Sequence, residues 1–158
     1  MDALTAYRLG LLSSLAEVVD ELSKIVAAIP THTWHLPGEL SSHTPHYILA
    51  HLRELEAQVF IFQLHRILDE DVPRLVLFDD ERWMASHYTP EEPVPEILAG
   101  FTNLRKQELE WLRGLSSADW SRTARHPWWG VRTLQWWVEQ QSEYSIQQLS
   151  ELASFHAI

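Results

Sequence analysis

Leu4, Tyr7, Leu11, Leu15, Val18, Leu22, Ile25 and Ile29 recur at steps of three and four, the spacing that gathers side chains on one helical face. The pattern predicts a first long helix closed by Pro30. The stretch 30–42 mixes Pro, Gly, Thr and Ser around Trp34 without a sustained period, which predicts a loop pinned down by one large ring. Thr44 followed by Pro45 is a helix start: the hydroxyl caps, and proline's missing N–H costs nothing in the first turn. A second helix over 45–69 would point Ile48, His51/Leu52, Leu55, Val59 and Phe62 inward. Prolines at 73, 90, 93 and 95 and acidic clusters at 69–71 and 79–81 mark a long crossover with one short helix near 78–86. A third helix, from Pro95 to about Arg113, carries Ile97, Phe101, Leu104 and Leu112 on one face together with Glu108. Ser116 to Asp119 has the spacing of a capping box, 125–130 is a rigid aromatic loop, and Thr133 opens a fourth long helix to about Phe155. No strand run and no internal repeat stand out.

These elements predict an all-α fold: one domain over residues 1–158, a four-helix up-down bundle with a long crossover between helices 2 and 3. At 158 residues, 46% of them apolar, the chain can bury a core that offsets its ordering entropy. A net charge of −10 argues against nucleic acid as a partner, because phosphate binding needs clustered Lys and Arg. The charges spread along the first helix exclude a membrane span there, and a cytoplasmic protein is expected. With no cysteine there is neither thiolate chemistry nor a cysteine-ligated metal, which leaves the nine histidines as the main catalytic currency.

The fourth helix is the informative one. Its inward stripe begins at Leu134, Trp137 and Val138 and ends at Leu149, Leu152 and Phe155, yet between them the same face carries Gln141, Tyr144/Ser145 and Gln148. Buried polar groups persist only with partners, so His51 of helix two is expected to meet this stretch in a polar pocket bordered by Trp34. The plainest role for His51 is a hydrogen-bonded core histidine; the functional one is a catalytic base or metal ligand.

The segment Ile48-Leu49-Ala50-His51-Leu52 after a Trp/Pro/Gly-containing loop, the mid-chain crossover, and a Thr-capped last helix ending in Gln148-Leu149-Ser150-Glu151-Leu152 resemble the DinB-like (damage-inducible) superfamily over almost the whole chain. The resemblance implies a four-helix bundle, a homodimer, and a divalent metal, zinc or nickel, held by one helix-two histidine and a His-x-x-x-His or Glu-x-x-x-His pair on helix four. It also implies relatives that are thiol-dependent transferases and isomerases. Only the first ligand carries over, onto His51. Three registers place Tyr144 and Gln148, Gln141 and Ser145, or Glu143 and Gln147 at the helix-four positions, and none supplies a histidine. Neutral amides and hydroxyls are poor ligands beside imidazole, so the strongest set, His51 with Glu143, lacks a third donor.

Other candidates have plain alternatives. Glu139 and Glu108 could ligate a metal or be ordinary carboxylates, and His43 and His46 share a face of helix two. Trp128, Trp129, Trp136 and Trp137, with Trp34 and Trp83, could line a mouth for a substrate or plug the core. The acidic run 79–81 is a surface turn or a lip that favours cationic and neutral ligands. The sequence thus predicts a protein of this superfamily with a small-molecule or thiol pocket around His51 and a degraded metal site. The competing classes are a metal-dependent thiol S-transferase or isomerase using His51 and a helix-four carboxylate, and a non-catalytic protein-interaction bundle.

Overall fold

The computed structural model describes residues 1–39 and 41–155; Leu40, within the predicted 30–42 loop, lies outside them. Helix α1 (Ala3–Ala28) is capped by Asp2, whose carboxylate accepts from the Thr5 N–H at 2.7 Å. The second long helix begins as α2 (Pro45–Leu55), passes through a π-helical turn (Glu56–Ile61) and continues as α3 (Phe62–Asp69). The crossover contains α4 (Asp80–His87), and α5 (Val94–Arg113) and α7 (Leu134–Ala153) complete the bundle. Between them lie α6 (Ser117–Trp120), with the predicted capping box between Ser116 and Asp119, and a hairpin, β1 (Thr123–His126) and β2 (Gly130–Thr133).

The core forms two clusters, one at each end of the bundle. The first joins Leu12 and Leu15 to Leu64, Ile67, Leu109, Leu112, Leu134 and Val138; the second joins Val18 and Leu22 to Ile48, Leu52, Ile97, Phe101 and Leu152. Helices α1 and α7 therefore run one way, and the α2–α3 helix and α5 run the other. Parallel second and third long helices cannot be joined by a tight turn, so the crossover must return the chain along the length of the bundle. Both α1 and α2 pack against α5 and α7.

Two expectations are corrected here. Glu56, at the start of the π turn, is buried four residues after Leu52, and the turn's extra residue rotates the rest of the helix so that Phe60, Gln63, Leu64 and Ile67 are buried, while Leu55 and Val59 are half-buried and Phe62 is exposed. A carboxylate, Glu56, thus lies in the core. The aromatic loop is the tip of a hairpin: His126 pairs with Gly130 across a three-residue turn, and Gly130 takes φ 70°, a left-handed conformation that glycine adopts without strain. Strands of four residues are too short to show alternation in the sequence. On its other side β1 meets the crossover, where Leu75 N–H donates to Arg125 O at 2.9 Å and Arg125 N–H to Pro73 O at 2.9 Å.

Candidate functional site

The crossover is fastened to α2 by contacts that set the position of α4. Arg53 donates through both terminal nitrogens to Glu92, at 2.6 and 2.8 Å, and the Trp83 indole donates to Glu54 at 3.1 Å. The buried His46 ring reaches Glu92 O through Nε2 and the Tyr88 hydroxyl through Nδ1, both at 2.7 Å. Asp79 caps α4 by accepting from Arg82 N–H at 3.1 Å, which places the next residue, Asp80, over α2. There Asp80 Oδ2 lies 2.8 Å from His51 Nε2.

His51 is held from both sides. Its side chain is 18% exposed and Asp80's is 45% exposed; the second ring nitrogen, Nδ1, lies 3.2 Å from the Tyr144 hydroxyl of α7. In the neutral ring, Nε2 carries the proton and donates to the carboxylate, and Nδ1 accepts from the tyrosine O–H. Burial, then the charge of Asp80, pushes the Tyr144 phenol far above its ordinary range, so it remains a donor. The three residues form a line, Tyr144 O–H to His51 to Asp80, that fixes the tautomer. If a ligand displaces Tyr144, Nδ1 becomes a base aimed at that ligand.

His51 and Asp80 of this line border a cavity of about 530 Å³ between α2, α4 and α7. Its walls include Tyr47, Ile48, Met84 and Tyr88, and its polar groups are His43, His51, Asp80, Glu81, Gln148 and Glu151. The carboxylates outnumber the cations, so the space favours neutral or positively charged occupants. The Tyr47 hydroxyl is held above its usual range by burial and then by Asp80 and Glu81.

The predicted residues do not converge on one site. Tyr144 and Gln148 do face the His51 region. Gln141 and Ser145 instead enter a separate buried network, because they lie on the neighbouring face of α7, toward α5. Trp34 is a core residue, 7% exposed, packed in the second cluster and absent from the cavity wall. Glu143 is exposed and opens onto neighbouring grooves, so the proposed His51–Glu143 ligand pair is not assembled. The His43 and His46 pair is also split: His46 is buried against Tyr88, while His43 stacks on Tyr47 at 4.3 Å. Among the described residues, no group of three or more His, Asp or Glu side chains is placed to hold a metal ion. The donors nearest His51 on α7 are a phenol and an amide, which do not fit the three strong donors that such an ion requires.

Sequence reasoning missed Asp80 as the partner of His51, and it missed the network centred on Arg105. Arg105, with no exposed surface, donates to Glu56 at 2.6 Å, to Ser145 Oγ at 2.8 Å and to Leu15 O at 3.0 Å. The Gln141 amide bridges Glu56 and Glu108. Burial, then the charge of Glu56, raises the Glu108 carboxyl well above its ordinary range, which favours its protonated form. The signal was available: Arg105 lies four residues after Phe101 and seven before Leu112, on the inward stripe of its helix.

A model of the DinB superfamily matches residues 14–147. Among solved structures, the chain is similar to YfiT from Bacillus subtilis, with a TM-score of 0.78 and 20% identity over 97% of this chain and 88% of that one. YfiT is described as a probable metal-dependent hydrolase with an unusual four-helix bundle topology. No protein of curated function matches the sequence. No described helix is long and apolar enough to cross a membrane.

Proposed function

This chain belongs to the DinB superfamily, and from that premise we propose that it binds a small neutral or cationic molecule, thiols included, in the cavity around His51, without a tightly held divalent metal. The observation that carries this is the commitment of both imidazole nitrogens, Nε2 to Asp80 and Nδ1 to Tyr144, at the wall of an acidic cavity. A metal ligand must offer a free lone pair, and its companions on the last helix must be strong donors; here those positions are Tyr144 and Gln148. The metal dependence ascribed to YfiT therefore finds no set of three strong donors among the described residues. What the cavity offers is hydrogen bonding: the Gln148 amide and an imidazole whose tautomer Asp80 fixes.

Titration with cysteamine, a cationic thiol, followed on the histidine ring signals by NMR, tests the proposal. Saturable shifts of His51, reduced in Gln148→Ala and weaker with the anionic mercaptoacetate, are expected. No response to either thiol, or equal responses, would overturn the preference proposed for the cavity.

A further inference from the structure

On the far side of the Asp80–His51–Tyr144 line lies a second concavity, of about 400 Å³, framed by the π turn, the crossover segment 76–80, the hairpin tip and α7. Its wall is a continuous run of aromatic rings. Tyr144 packs on Phe60 at 5.7 Å, Phe60 on Trp137 at 5.9 Å, Trp137 on His126 at 6.2 Å, and His126 on Trp129 at 4.2 Å; Trp128 meets Trp129 edge-on at 6.3 Å. Trp128 and Trp129 are 73% and 47% exposed, which is unusual for indoles with no structural duty in the core.

Two further observations identify the chemistry of an occupant. Asp80 and Glu143 both line the groove, and no lysine or arginine does so among the described residues. The floor also holds unmatched polar atoms: Gln63 Oε1 and Trp137 Nε1 are buried and have no hydrogen-bond partner among the described residues, although both side chains line the groove. Gln63 Oε1 is an acceptor that an incoming N–H can satisfy, whereas the Trp137 N–H is itself a donor and is not met by an ammonium. The negative faces of the indoles and two carboxylates attract a positive charge, while the apolar walls take up a hydrocarbon body.

We propose that this groove binds a small organic cation with an apolar body, an alkyl- or arylammonium, seated on the tryptophan faces with its charge toward Asp80 and Glu143. The site is distinct from the cavity proposed above, with which it shares Asp80 alone as a common wall.

The test uses three probes of similar shape: 2-phenylethylammonium, 2-phenylethanol and phenylacetate, with binding read by tryptophan fluorescence and by NMR of the indole N–H signals. The ammonium is expected to bind saturably and about tenfold more tightly than the alcohol, with phenylacetate weakest. Trp128→Ala, at a position 73% exposed, is expected to weaken the ammonium several-fold. Glu143→Gln should weaken it too, whereas Glu151→Gln, which touches only the His51 cavity, should leave it unchanged. Equal binding of the three probes, or a loss in Glu151→Gln with none in Glu143→Gln, would overturn the proposal. So would a concentration-dependent dimer that Trp128→Ala dissociates, with no saturable response to the ammonium, since the groove would then belong to a second copy of the chain.

Discussion

Arg105 and Glu56 face each other at the middle of the bundle, Nη2 to Oε2 at 2.6 Å, with neither side chain more than 1% exposed. The pair exists because Glu56 follows the buried Leu49 and Leu52 by seven and four residues, which keeps it on the inward face of the helix as the π turn begins. Removing one member leaves the other uncompensated. Arg105→Met is expected to cost about 3–5 kcal/mol in chemical denaturation, and the double variant Glu56→Leu/Arg105→Met should lose less than Arg105→Met alone. Additive losses would contradict an interaction between the two.

Glu108 supplies a pH dependence whose sign is fixed. Its folded-state carboxyl is raised above the ordinary value of 4.5, so the folded chain holds the proton that the unfolded chain releases. The group's contribution is complete below that value and is lost as pH rises toward its folded value. Glu108→Gln keeps a neutral side chain at every pH. The stability of this variant relative to the parent, measured by urea denaturation at about pH 5 and about pH 8, is therefore expected to increase with pH.

Most of the architecture was legible because its signals are local. Pro30, the Thr44–Pro45 start, the prolines of the crossover and the Thr133 cap mark the helix ends, and the structure puts them there. The inward face of the second helix was legible only up to the π turn, since a 3.6-residue period cannot anticipate an inserted residue. That is why Val59 was expected where Phe60 is buried. Tyr144 and Gln148 could be read as facing His51 from the period of α7. Asp80 could not, because it is brought to His51 from 29 residues away by the docking of the crossover, through Arg53, His46 and Glu54.

That docking is itself testable. The carboxyl of Glu92 is held below the usual range by its bonds with Arg53, so its contribution is present above 4.5 and lost as pH falls. Glu92→Ala is expected to cost about 1–2 kcal/mol, discounted for the partial exposure of the pair. Amide exchange should rise chiefly in the crossover around α4 while the core of α5 stays protected. A uniform rise across the bundle would show that the contact does not act locally.

His126 ties the hairpin tip together: its Nδ1 accepts from the backbone N–H groups of Trp128 at 3.1 Å and Trp129 at 3.3 Å, and only an unprotonated nitrogen can do so. Burial lowers its folded value below the ordinary 6.5. The unfolded chain therefore takes up the proton first, and stability is lost as pH falls through that range. Thermal unfolding is expected to drop between about pH 7.5 and about pH 5.5, with a smaller drop in His126→Phe. An equal drop in both would place the titrating group elsewhere.

Metal content tests the account most directly. Protein purified without a histidine tag, incubated with excess zinc or nickel, desalted and measured by elemental analysis, is expected to retain well under one equivalent and the same amount as His51→Ala. One retained equivalent that disappears in His51→Ala would make the imidazole a metal ligand and contradict its assignment as a node fixed between Asp80 and Tyr144.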